Sequence, residues 1–289
     1  MPEAIPLRAD ALRLPRRSAE SHKGDYGRLL ILGGCVGYTG APTLCARAAV
    51  RGGAGLVYLG VPAPIYNITA VKNDEAMPFP LPADADGRFS PAAADAALAR
   101  LRGCDVCAVG PGMGRGAGGV ALMEALLQSD GAQPLVIDAD GLNALSGRME
   151  LLRRRSAPTV LTPHDGEFLR LGGDLCGSRT AAAQRFAEEH GCILILKGHR
   201  SLAAFPDGTV YRNTCGNPGM AKGGSGDVLT GVLAAMLGQL PVRRAVLTGL
   251  FLHSFAGDLC CARFGEYAMT ASDLIETLPE ATAKLLEEA

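Results

Sequence analysis

Apolar residues in this chain fall into short runs separated by glycine-rich turns, and the runs alternate between two periods. Arg28–Gly33, Leu56–Val61, Asp105–Val109, Pro134–Asp138, Thr159–Thr162 and Cys192–Leu196 are short and nearly continuous, the mark of buried strands. Between them, Ala41–Arg51, Pro91–Arg102, Val120–Gln128 and Thr180–His190 carry helical spacing. A short helix is expected around Ile65–Val71, and Phe168–Leu171 can open another. Leu202–Phe205 and Thr209–Arg212 flank Asp207-Gly208 and predict a hairpin. Beyond it lie the apolar run Val228–Leu237 and helices over Arg243–Cys261 and Thr270–Glu276. Residues 1–21 read as an irregular lead-in. Residues 62–90, with Pro62, Pro64, Pro78, Pro80 and Pro82, read as a loop-rich connection. This alternation predicts an α/β fold whose mostly parallel sheet is covered on both faces. No linker divides the chain, so residues 1–289 are expected to form one domain. Ligands in such sheets sit beyond the carboxyl ends of the strands. The loops Gly33–Gly40, Gly110–Gly116, Asp138–Asn143, Thr162–Glu167 and Lys197–Ser201 should therefore converge.

Composition narrows the partners. The chain has 289 residues, 48% hydrophobic and 20% charged, with a formal net charge of -1. That balance suits a compact globule and gives no electrostatic reason to expect nucleic acid or a membrane surface. No apolar segment reads as a membrane span or signal core, so cytoplasm is the default expectation. The nine cysteines include one CxxC, Cys104 and Cys107, without a second pair. They read as a reduced, buried set rather than disulfides or a zinc site. Arg153–Arg155 reads as a solvated helix end.

The stretch Asn213–Gln239 carries the most chemistry. Turn formers lead into Lys222-Gly223-Gly224-Ser225-Gly226-Asp227, and the apolar run follows. Glycines let backbone N–H groups surround an anion, and a helix starting near Gly226 adds its own unpaired amides and positive dipole end. Gly224, Ser225, Gly226 and Asp227 thus form a candidate anion hole for a phosphate. Asp227 is expected to stay ionised at the helix mouth and to take a proton from a nearby hydroxyl. The plainer alternative is that Ser225 or Asp227 only caps the helix.

Other groups admit two readings. Gly112, Gly114 and Ala117 match a loose GxGxxA dinucleotide pattern with Asp138 ending the next strand, or they make a tight turn. Asp138, Asp140 and Asn143 could meet magnesium or its waters, or form an Asx turn. His164 and Glu167 could hold a transition metal. They could instead serve a water-bound magnesium (Glu167) and substrate (His164), or cap a helix. Lys197 emerges from a strand, where it could neutralise phosphates or be solvated. His253, within an apolar helix, reads as a satisfied core histidine. No GxSxG elbow is present, which disfavours a serine hydrolase.

Taken in order, HKGDYGRLLILGG (His22–Gly34), GYTGAP (Gly37–Pro42), VGPGMG (Val109–Gly114), DADGLN (Asp138–Asn143), LTPHDGE (Leu161–Glu167), LKGHRS (Leu196–Ser201), NPGMAKGGSGDVL (Asn217–Leu229) and MTASDLIETLP near the C-terminus form one series. It resembles the ADP- or ATP-dependent NAD(P)H-hydrate dehydratases of the ribokinase-like superfamily, from about His22 onward. The resemblance implies a three-layer αβα sandwich with substrate contacts at Ala41, Gly112, His164 and Asp227. It implies nucleotide contacts at Lys197, Gly198, His199, Arg200, Ser201 and Gly226. It further implies magnesium, near Glu167 and Asp138 through water, and ADP or ATP as phosphoryl donor. The expected substrates are the S epimers of hydrated NADH and NADPH, with Asp227 as base. A homotetramer is the assembly it implies. Only about twenty residues precede the first motif, so a stand-alone dehydratase domain is expected, with the ADP-using type favoured and the epimerase a separate protein. A vitamin-precursor kinase of the same fold, phosphorylating a hydroxymethylpyrimidine or hydroxyethylthiazole, is the runner-up. A non-catalytic nucleotide-binding regulator and a dehydrogenase are further alternatives.

Overall fold

The structure is a computed structural model that describes residues 3–286; residues 1–2 of the lead-in and 287–289 of the single-domain reading lie outside it. Among the described residues ten strands form one sheet: β1 (Ile5–Pro6), β2 (Arg28–Leu32), β3 (Leu56–Pro62), β4 (Met77–Leu81), β5 (Val106–Val109), β6 (Leu135–Ile137), β7 (Thr159–Leu161), β8 (Ile193–Leu196), β9 (Leu202–Ala204) and β10 (Val210–Arg212). Their order is β1-β10-β9-β8-β7-β6-β5-β2-β3-β4. Pairing is parallel from β4 through β8 and antiparallel at β8–β9 and β9–β10, the predicted hairpin; β1 rejoins parallel to β10. The sheet is mostly parallel, as the alternation of runs predicts.

Eleven α-helices among the described residues cover it: α1 (Gly40–Arg51), α2 (Tyr66–Lys72), α3 (Ala93–Leu101), α4 (Ala117–Gln128), α5 (Asp140–Leu145), α6 (Glu150–Arg154), α7 (Asp165–Arg170), α8 (Arg179–His190), α9 (Ser225–Leu237), α10 (Val242–Ala268) and α11 (Ala271–Leu285). Strand side chains alternate between two buried clusters. Leu29, Ile31, Leu59 and Val136 join one with side chains of α1, α9, α10 and α11. Leu30, Leu32, Val109 and Ile137 join the other with α3, α4 and α8. Strands buried on both faces leave no polar alternation to read, which is why these runs are continuous.

Four expectations need correction. The lead-in contributes β1. The proline-rich connection contains β4, an edge strand. Pro78 and Pro80 recur at a period of two there, so their missing N–H groups both point away from β3. Helix α10 has the length and hydropathy of a membrane span (mean hydropathy 1.5), yet 72% of that window is buried in the fold, where it packs on α9 and α11. Arg153 and Arg154 are exposed, but Arg155 is half-buried and donates to the carbonyls of Leu126 (2.9 Å) and Gln133. All nine cysteines are free thiols, and six are buried.

The strand-following loops do converge, and they interlock through backbone. Gly34 N–H donates to Pro111 O at 2.8 Å, and Gly110 N–H to Leu32 O at 3.0 Å. A side chain at Gly33 would lie 2.4 Å from the Pro111 carbonyl oxygen. One at Gly110, whose φ is 122°, would lie 1.9 Å from that of Asp138. Only glycine permits such approaches.

Candidate active site

The glycine stretch ends by starting α9. Gly224 is its N-cap, in the left-handed region at φ 96°, and no side chain caps the helix. That excludes the reading of Ser225 or Asp227 as a mere cap. A Cβ at Gly224 would meet Leu44 and Ala271 at 2.7 and 2.8 Å, so both backbone and space demand glycine. The amides of Gly226 and Asp227, at the second and third helical positions, have no acceptor within the helix. Two side chains brace this turn. Lys222 Nζ donates to the carbonyls of Tyr267 (2.5 Å) and Met269 (2.7 Å). His253 Nε2 lies 2.9 Å from the Ser225 carbonyl oxygen. A carbonyl only accepts, so Nε2 carries the proton. Burial lowers the His253 pKa to about 4, against the pull of that hydrogen bond. The predicted satisfied core histidine is therefore neutral, and it tethers the first turn of α9.

Beneath this turn lies a knot of charge. Asp138, at the end of β6, is 2% exposed. Its Oδ1 accepts from Lys197 Nζ at 2.8 Å and its Oδ2 from the Thr230 hydroxyl at 2.9 Å. Glu167 Oε2 stands 3.9 Å from the same ammonium. Lys197 is thus paired rather than solvated. Burial works against its charge, but Asp138, Glu167 and Asp227 outweigh it and raise its pKa. Asp227 moves opposite to expectation. Burial first, then the Asp138 charge, push its pKa to about 7, with Lys197 pulling the other way. Desolvation thus opposes the ionised form that a helix mouth favours. The buried Cys45 thiol of α1 is raised by burial and by Asp227 and Asp138.

Lys197, Gly198, His199, Arg200, Ser201, Gly226 and His164 line one cavity of about 720 Å3. A Cβ at Gly226 would sit 3.5 Å from Lys197 Nζ and 3.6 Å from Asp138 Oδ2, ordinary contacts. Arg200 is held at a φ of 61°, with its guanidinium on the Thr214 carbonyl. Ala41 and Gly112 lie outside that lining but adjoin each other: a Cβ on Gly112 would be 3.0 Å from that of Ala41. His164 and Glu167 form a capping box on α7. His164 Nδ1 accepts from Gly166 N–H at 3.0 Å, and Glu167 Oε2 from His164 N–H at 2.9 Å. That arrangement displaces the transition-metal reading. Asp140 Oδ2 accepts from Gly114 N–H at 2.8 Å and Oδ1 from Asn143 at 3.1 Å, so this pair fastens loops instead of facing magnesium. The GxGxxA likeness is accounted for by the interlocked loops: the parallel run β4-β3-β2-β5-β6-β7 shares its order with dinucleotide-binding folds, but this glycine loop follows β5 rather than β2, the first strand of that run, where such a fingerprint sits.

Among the described residues no three His, Cys, Asp or Glu side chains cluster as a metal site. The donor set fits magnesium held chiefly by nucleotide phosphates and water, with Glu167 as the freer carboxylate. Sequence reasoning missed Thr230. Its signal was a hydroxyl within an otherwise apolar run, three residues after Asp227 and so on the same helix face.

Comparison with known proteins identifies the family. The family described as NAD(P)H-hydrate dehydratase (Carb_kinase) matches residues 29–280. The bifunctional NAD(P)H-hydrate repair enzyme of Moorella thermoacetica is 46% identical over 96% of this chain and 53% of its own length. The chain thus spans about half the length of the curated relatives it matches first. The ADP-dependent (S)-NAD(P)H-hydrate dehydratase of Neisseria meningitidis is 37% identical over 86% of this chain and 83% of its own. Among solved structures, a ribokinase-like superfamily protein from Enterococcus faecalis superposes with a TM-score of 0.86 at 27% identity, covering 99% of this chain and 97% of its own. The ADP/ATP-dependent NAD(P)H-hydrate dehydratase of Bacillus subtilis, co-crystallized with ATP and Mg2+, gives 0.82 at 28%, covering 98% and 99%. The fold is ribokinase-like, and the chain belongs to the NAD(P)H-hydrate dehydratase family.

Proposed function

We propose that this site restores NADH and NADPH from their hydrates at the expense of a nucleotide. The observation that carries the reading is Asp227: a half-buried carboxyl with a pKa of about 7 in the first turn of an amide-rich helix, close enough to Lys197 to feel its charge. A general base works best near the operating pH. Asp227 takes the proton of the ring hydroxyl as that oxygen attacks the terminal phosphorus of the donor. The phosphorus–oxygen bond to the rest of the nucleotide breaks, and ADP leaves as AMP. Amides of Gly224 to Asp227 receive the charge on the transferring group. The phosphate ester is a better leaving group than hydroxide. The ring nitrogen lone pair expels it as inorganic phosphate, and loss of the neighbouring ring proton regenerates the dihydropyridine. Lys197 through Ser201 and Gly226 hold the nucleotide. Ala41, Gly112 and His164 hold the substrate. Magnesium, when bound, supplies charge to the donor phosphates, with Glu167 the residue that would hold it through water.

ADP is the donor we favour, supported by the Neisseria relative named for it. A separate epimerase supplying the S form is supported by the bifunctional relatives. An oligomer, a tetramer by resemblance, is supported by the exposed apolar side chains Tyr38, Ile68 and Val71. The proposed setting is the cytoplasm. The deciding assay mixes the protein with hydrated NADH, magnesium and either ADP or ATP, and follows the return of reduced-nicotinamide absorbance. Recovery with ADP is expected; no recovery with either donor overturns the reading.

A further inference from the structure

Among the described residues, two arginines beside the substrate loop have no carboxylate partner. Arg115, in the loop between β5 and α4, donates from Nη2 to Asn143 Oδ1 at 3.4 Å. Arg170, at the end of α7, donates from Nε to the same oxygen at 3.1 Å. Two guanidinium groups therefore converge on one neutral amide. That amide is fixed by Asp140, whose Oδ1 takes the Asn143 Nδ2–H at 3.1 Å. The nearby Arg88 is paired with Asp86, and Arg148 with Glu124. Arg115 and Arg170 line a recess of about 270 Å3, and among the described residues they are the only charged side chains in its wall. Such a pair repels itself and is best satisfied by an anion. The recess joins the two elements that carry the proposed substrate contacts. Gly112 lies three residues before Arg115 in the same loop, and His164 caps the helix that Arg170 ends.

We propose that Arg115 and Arg170 bind a phosphate group of the dinucleotide substrate, away from the donor nucleotide. This rests on the proposed function. A dinucleotide offers two such groups, the pyrophosphate and, in the NADP form, the 2′-phosphate. Two planar forks meeting at one point suit either.

The test uses the full chain with Arg115→Gln, Arg170→Gln and the double variant, each checked for an unchanged thermal melt. Steady-state rates are measured with hydrated NADH and hydrated NADPH at saturating donor. A charge-assisted contact is worth roughly 10- to 100-fold. The double variant should therefore raise substrate KM by at least about tenfold, with kcat within about twofold and donor KM unchanged. Loss with both substrates identifies the pyrophosphate, and loss with hydrated NADPH alone identifies the 2′-phosphate. Unchanged KM for both overturns the proposal. If wild-type protein turns over neither hydrate, the parent reading fails. The arginine site is then judged by titration with NADPH and NADH themselves, where equal affinity of wild type and double variant overturns it.

Discussion

Lys197 and Asp138 come from strands two places apart in the sheet and meet at 2.8 Å beneath the first turn of α9. The pair tunes Asp227 from both directions: Asp138 raises its pKa and Lys197 lowers it. Activity that requires ionised Asp227 should rise with pH through about 7. Asp138→Asn should move that ascending limb to lower pH, and Lys197→Met should move it higher. Rate profiles of the two variants that shift together, or not at all, would separate the limb from Asp227.

Asp227→Asn should lower kcat by about 10²–10⁴-fold, the usual worth of a positioned base. The same change should stabilise the fold at alkaline pH. In the unfolded chain the carboxyl titrates near 3.8, and in the folded protein near 7. The folded state thus binds the proton more tightly. Its contribution is full below the unfolded value and is lost as pH rises through 7. Melting curves should show a higher Tm for the variant at pH 8 and a gain that vanishes near pH 4. A variant less stable than wild type at pH 8 contradicts this.

Gly226→Ala should fold normally, because its Cβ meets only ordinary contacts and alanine suits a helix. That methyl nevertheless enters the cavity wall over Lys197. Donor KM should rise at least about tenfold, the scale of one disrupted charge-assisted contact. Nucleotide titration of the variant is the check, and undiminished affinity would argue against an anion hole at this turn.

His253→Phe removes the donor to the Ser225 carbonyl. The carbonyl keeps its bond within the helix, so losing this second hydrogen bond should cost roughly 0.5–1.5 kcal/mol of stability and weaken donor binding. With a pKa of about 4, wild-type His253 is uncharged across the working range. The variant's rate profile between pH 5 and 8 should keep its shape, and a displaced limb would show that the histidine titrates with the reaction.

Much of this was written into local sequence. The strands at Arg28, Leu56 and Ile193 are legible because burial on both faces makes them apolar throughout. Asp227 is legible because glycines crowd around it beyond what a cap needs. Its pKa is not, since that depends on Asp138 arriving from β6 and on how much water the closed fold excludes. The capping box at His164 and the fastening role of Asp140 looked like metal chemistry, because the same oxygen and nitrogen donors serve both. β4 was hidden by Pro78 and Pro80, which oppose strands everywhere except at an edge. Arg115 and Arg170 meet only through Asn143, a relation no local pattern carries.

Those two prolines also restrict how copies of the chain can associate. The outer margin of β4 cannot donate from Pro78 or Pro80, so another strand cannot zip onto it. Association along that flank must run through side chains such as Val71 and Ile68. The sheet then ends within each molecule, and pairing of one copy's backbone with the next, the first step toward fibrous aggregation, has no template there.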